Sequence, residues 1–151
     1  MPLMLFKNFQ EMEPTLSHAT LEIEDAALDW KDAVESHHAD KVMRLYSEDA
    51  VLMCAFTPHV YTHREELRDY FDDFLRLPAL KVNFLQTHIR FIGDGAVNSG
   101  IYRFDYNNGE AKASLVCRYT FALKRIAGQW RIETHHSSIL PQETLLNLLH
   151  S

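Results

Sequence analysis

At Leu80 the sequence changes period. From there to Ser138, polar and apolar residues alternate by twos between three glycine-bearing turn signals, Gly93-Asp94-Gly95, Asn107-Asn108-Gly109 and Ala127-Gly128. The alternation predicts four strands joined as a meander, over residues 80–92, 96–106, 110–125 and 129–138, long enough that their sheet must twist and curl. Upstream the period is helical. Ile23, Ala26, Ala27, Trp30, Ala33 and Val34 recur on one side of a first helix, with Glu24, Asp25, Asp29, Lys31 and Asp32 opposite.

Asp40 stands where it can cap a short second helix whose Val42, Leu45 and Tyr46 share a face, and residues 50–56 read as a short buried strand ended by Thr57-Pro58. Thr62 with Glu65 three residues on forms a capping box for a third helix, striped by Leu67, Tyr70, Phe71, Phe74 and Leu75 and stopped at Pro78. Residues 1–16 lack a period and read as an N-terminal arm, 17–141 as the domain, and 142–151 as a tail with a helix over 143–149. Helices first and a meander afterwards predict an α+β fold. In it, about three N-terminal helices pack on the concave face of a strongly curved antiparallel sheet, a cone with a pocket between the layers.

A chain of 151 residues, 46% hydrophobic and 24% charged, fits one domain with a real core. The net charge of -6 is spread without blocks of like sign, which speaks against nucleic acid and anionic membranes as partners. No apolar run approaches the roughly 20 residues that span a bilayer, and the start lacks the features of a secretory signal, so a soluble cytoplasmic protein is expected. Cys54 and Cys117 lie in hydrophobic runs and read as reduced core thiols.

Chemistry concentrates at the end of the last strand, His135-His136-Ser137-Ser138-Ile139-Leu140-Pro141, where an apolar strand gives way to four groups that exchange hydrogen bonds or protons. Trp130 and Ile132 should face the core. Counting on by twos turns Thr134, His136 and Ser138 inward, and a single β-bulge before residue 135 would turn His135 and Ser137 inward instead. The bland alternative is a polar latch tying the strand to the first helix. Tyr70, in an apolar stripe, reads equally as core. Arg118 could hold an oxyanion through paired hydrogen bonds or could face solvent; Arg103 and His88 are weaker candidates, and Tyr102 is a wall of the pocket.

Tyr46-Ser47-Glu48-Asp49-Ala50-Val51 leading into a strand, and Gly128-Gln129-Trp130-Arg131-Ile132 closing the chain, resemble the nuclear transport factor two-like superfamily over residues 20–141. More narrowly, Asp69-Tyr70-Phe71, Arg118-Tyr119-Thr120-Phe121 and the His-His-Ser-Ser-x-x-Pro ending are similar to the bacterial branch of the calcium/calmodulin-dependent protein kinase II association-domain family, which includes the iota-class carbonic anhydrases. Leu140 departs from the Met usual before that proline. The resemblance implies reversible hydration of carbon dioxide to bicarbonate in a pocket that operates without a metal. The resemblance places the family's site residues on Thr57, Tyr70 and a His-x-Ser pair, for which the count by twos selects His136 and Ser138; Arg118 and Tyr102 are the substrate-binding candidates that the residues themselves suggest.

Two other classes compete. One is a non-catalytic oligomerising or ligand-binding association-type domain; the other is a proton-transfer isomerase or dehydratase, for which Asp105 is the strand aspartate available. Zinc or manganese stays open as an alternative to metal-free chemistry, with His59 and His63 as conceivable additions to His136, although adjacent His pairs on a strand point to opposite faces. A homodimer or higher homo-oligomer is expected from aromatics such as Phe91, Tyr106 and Tyr119 on an open sheet face.

Overall fold

The computed structural model describes the backbone of residues 2–142 and the side chains of residues 18–142. Helices α1 (Pro2–Glu35) and α2 (Ala39–Met43) precede strands β1 (Tyr46–Met53) and β2 (Val60–Tyr61), followed by α3 (Arg64–Phe74) and the meander β3 (Lys81–Ile92), β4 (Gly95–Asn108), β5 (Ala111–Ile126) and β6 (Gln129–Ile139). They form one six-stranded sheet in the order β2-β1-β6-β5-β4-β3. Among the described residues, only the β1–β6 pairing is parallel; the others are antiparallel. The three helices lie on one face, giving the α+β cone that the change of period predicts. The stretch read as an arm is helical from Pro2 onward, and the predicted tail helix falls outside the described residues.

The stripe on α1 is buried as its spacing requires: Ile23, Ala27, Trp30, Ala33 and Val34 face the sheet. Two predicted caps are displaced by one or two residues. The position that caps α2 is His38, while Asp40 lies inside the first turn and pairs with Arg68 at 2.6 Å. The position that caps α3 is His63 rather than Thr62, without a side-chain cap, so the expected Thr62–Glu65 box does not form. Tyr46 opens β1 instead of sharing a helical face.

Curvature comes from irregular register. In β3 the pairing with β4 slips between Phe84 and Gln86, which throws Leu85 outward, 51% exposed. Gly100 faces this bend, and a Cβ there would lie 1.9 Å from the backbone oxygen of Gln86, so only glycine permits so close an approach. At β6 the pairing with β5 slips between Ala122 and Leu123, whose partners are Thr134 and Ile132. Glu133 is the extra residue, and it reverses the facing of everything after it.

The core fills the space between helices and sheet with Trp30, Phe71, Tyr102, Phe104, Phe121 and Leu52. Of the aromatics expected on an open face, Phe91 is exposed and Tyr106 half-buried. Tyr119 points inward, buried, donating to Asn98 Oδ1 at 2.9 Å. Both cysteines are free, Cys117 buried and Cys54 half-buried. Among the described residues, no helix is long and apolar enough to cross a membrane.

Candidate active site

Because of the Glu133 bulge, His135 and Ser137 occupy the inner face of β6 and are almost fully buried, whereas His136 is exposed and Ser138 half-buried on the outer face. This corrects the count by twos, which holds only to Ile132. Arg118 is excluded with them: it is exposed and pairs across the ladder with Ser138, since Cys117, Tyr119, Phe121 and Leu123 take the inner positions of β5. His88 is likewise exposed, and Arg103 is engaged with Asp105 at 2.9 Å.

His135 is held between two phenols. Its Nδ1 lies 2.7 Å from Tyr46 Oη and its Nε2 lies 3.1 Å from Tyr102 Oη, while the Trp30 indole N–H donates to Tyr46 Oη at 3.0 Å. Hydrogen bookkeeping selects the tautomer. Tyr46 already accepts from Trp30, and its own proton needs an acceptor in a buried site, which a bare Nδ1 supplies. Nε2 therefore carries the hydrogen and donates to Tyr102, whose phenolic proton is left for the cavity. Burial, with His136 adjacent, lowers the pKa of His135 to about 3, and the imidazole is neutral at physiological pH. Burial also pushes the phenols of Tyr46, Tyr102 and Tyr70 above their ordinary range.

Tyr46 is the residue the sequence reading missed. Its place is set by Arg64, whose guanidinium donates to the carbonyls of Met43 at 2.8 Å and of Tyr46 and Ser47 at 3.2 Å, joining the end of α2 to the start of β1. Trp30 also acts as more than core: its ring stacks on Tyr102 at 5.7 Å and meets His135 edge-on at 5.4 Å. The chain Trp30–Tyr46–His135 ties the last strand to the first helix, so the latch and the site are one assembly.

His135 and Ser137 open onto an enclosed cavity completed by Trp30, Leu52, Cys54, Ala55, Phe56, Tyr70, Phe71, Phe74, Tyr102 and Phe104. The space open to the centre of a water molecule is about 10 Å³, room for roughly one water. Ser137 Oγ is the sole buried side-chain polar atom without a hydrogen-bond partner among the described residues. This hydroxyl favours the ionised forms of the Tyr102 phenol and the Cys117 thiol beside it, although it forms a hydrogen bond with neither. Tyr70 shares the cavity, beside Cys54 and stacked on Phe74 at 5.6 Å. Thr57 stands just outside, bonded to Tyr61 Oη at 2.9 Å and Cys54 Sγ at 3.4 Å.

Among the described residues, no carboxylate lines this cavity. Asp105 is taken up by Arg103, Asn83 and Ser114, and its bonds to Arg103 and Ser114 hold its carboxyl below the usual range. His59 bonds Glu66 at 2.6 Å, and among the described residues no three His, Cys, Asp or Glu side chains gather as a metal site. The larger concavities lie elsewhere, one of them a charged surface groove between α2 and α3 lined by Asp40, Arg44, Arg64, Glu65, Arg68 and Asp69. It holds no nucleophile or orphaned polar atom.

A family profile for the SnoaL-like domain matches residues 23–142. No curated protein matches the chain. Among solved structures, a proposed calcium/calmodulin dependent protein kinase II association domain from Xanthomonas campestris is similar, with 33% identity, a TM-score of 0.73, and coverage of 80% of this chain and 88% of that one. A nuclear transport factor two-like protein with a cystatin-like fold from Novosphingobium aromaticivorans is 14% identical with a TM-score of 0.76, covering 94% and 95%. A proposed scytalone dehydratase from the same organism is 15% identical with a TM-score of 0.76, covering 85% and 89%. The latter two likenesses are of fold alone.

Proposed function

The chain belongs to the SnoaL-like family, within the nuclear transport factor two-like superfamily, and from its enclosed cavity we propose that it hydrates a small apolar electrophile, carbon dioxide, to bicarbonate. The observation that carries this reading is the orphaned Ser137 hydroxyl, buried beside a phenol that a neutral histidine keeps oriented. Aromatic walls suit an uncharged linear molecule and exclude bulk water. A histidine held neutral by burial is a poor resting place for a proton at pH 7, so the reading assigns it a positioning role.

The hydroxyl of Ser137 completes a cyclic transfer. Water attacks the carbon and passes one proton to Ser137 Oγ, while the serine proton passes to a substrate oxygen; one C–O bond forms, one C=O bond becomes single, and carbonic acid results. Tyr102 donates to the other oxygen as charge develops. Carbonic acid then ionises to bicarbonate and a proton in solvent. Tyr70 and Thr57 border the route by which the product would leave.

A protein of the same fold is named as a proposed scytalone dehydratase, and an isomerase or dehydratase reading would need a general base that the cavity, with no carboxylate among its described lining residues, lacks. Its small volume favours instead a second reading, a non-catalytic association-type domain in which one water satisfies Ser137. Oxygen-18 exchange between carbon dioxide and water, measured on chelator-treated protein, separates the two. Exchange above the uncatalysed rate that falls in Ser137→Ala and Tyr102→Phe supports hydration; background exchange in the wild type selects the association domain.

A further inference from the structure

The cavity is narrow and largely enclosed, and room for about one water leaves none for a second reactant. Access therefore requires a wall to move. Nine of the twelve lining residues stand on α1, α3, β1, β4 or β6; the other three, Cys54, Ala55 and Phe56, belong to the connection between β1 and β2. Among the described residues, no backbone-to-backbone hydrogen bond outside the helices and strands involves residues 54–59. The segment is held by side chains: Thr57 on Tyr61 and Cys54, and the Phe56 ring against Phe74 at 5.2 Å and Phe104 at 5.9 Å.

Phe56 is the single exposed member of the lining, 37% accessible, with its other edge on the cavity. We propose that Phe56 is the door of this cavity and the residue that sets the size of molecule admitted. In place, it confines the site to a water-sized occupant. Swung out, it opens an apolar chamber floored by Phe74, Phe104 and Tyr102 that accepts molecules up to a single unsubstituted aromatic ring. Rotation of one side chain on a loop held mainly by side chains costs the two aromatic contacts and the exposure of the ring. This rests on the reading of the cavity as a binding site and does not require that hydration occur there.

Benzene is the probe, titrated into wild type, Phe56→Ala and Phe56→Leu while the aromatic resonances of Tyr102 and His135 are followed by NMR. The door predicts saturable shifts at both residues, with affinity in Phe56→Ala raised at least about tenfold over wild type and Phe56→Leu between them. Val60→Ala, an exposed apolar site on β2, serves as the control and should match wild type. Equal affinity in all proteins, or shifts that bypass Tyr102 and His135, overturns the proposal. Should the alanine variant fail to fold, the leucine variant carries the same comparison. Benzene binding gated by residue 56 in a protein without oxygen exchange would keep the door and remove the hydration reading, whereas exchange with ungated benzene binding would do the reverse.

Discussion

Two His-x-Ser pairs interleave on β6, identical in composition and one residue apart, and the fold treats them in opposite ways. His135 and Ser137 are sealed inside, the first in a chain of hydrogen bonds and the second unpartnered; His136 and Ser138 lie on the outer face beside Thr120 and Arg118. Composition cannot distinguish the pairs. What does is a single unpaired residue, Glu133, so the chemistry available to a motif depends on a backbone irregularity outside it.

The contrast should be greatest in activity. Ser137→Ala is expected to lower the oxygen-exchange rate by about 100-fold or more, the order that a positioned proton-transfer group contributes, while Ser138→Ala stays within about twofold; equal losses would end the distinction between the pairs.

In stability, His135→Leu strands the Tyr46 and Tyr102 hydroxyls in the core and should cost about 3 kcal/mol in urea unfolding, against less than about 0.5 kcal/mol for His136→Leu. His135→Gln sharpens the point. Its amide can accept from Tyr46 and donate to Tyr102, so it should restore most of the stability and, if His135 only positions Tyr102, most of kcat as well.

The two histidines should also differ on acidification. The folded-state pKa of His135, about 3, lies below the unfolded value near 6.5, so the unfolded chain binds the extra proton between those limits. This contribution to stability is complete above about pH 6.5 and is lost as pH falls toward about 3. The acid limb of the unfolding free energy should be shallower in His135→Gln than in wild type. The oxygen-exchange rate should lack an inflection near about pH 6.5, because no resting imidazole in the cavity titrates there. Least of all, Arg118→Ala should leave the KM for carbon dioxide and the unfolding midpoint unchanged within error, which an oxyanion-holding arginine would not allow.

Much of this was open to a reader of the sequence. The meander's bounds follow from period and turn residues, and the third helix from its aromatic stripe, because both signals are local. Arg118 could have been placed outside by the alternation of Cys117, Tyr119, Phe121 and Leu123, a cue that the fitness of a guanidinium for an oxyanion left unused. The facing of His135 could not, since Glu133 carries no Gly or Pro to mark a bulge and the slip is settled by pairing with two strands at once. Tyr46 was hidden for a related reason: its spacing from Val42 suits a helix, and only the Arg64 clamp shows where α2 ends. The shift of the α3 cap from Thr62 to His63 is of the size expected at any helix end.

The position of Trp30 gives the molecule an internal optical reporter. Of its two tryptophans, Trp130 sits at the surface beneath Arg125, 4.9 Å from the ring centre, whereas the Trp30 indole is bonded to Tyr46 and stacked on Tyr102. Emission from Trp30 therefore senses the charge and occupancy of the His135 chain directly. A Trp130→Phe protein would turn that glow into a single-channel record of the cavity, readable in milliseconds and without any label.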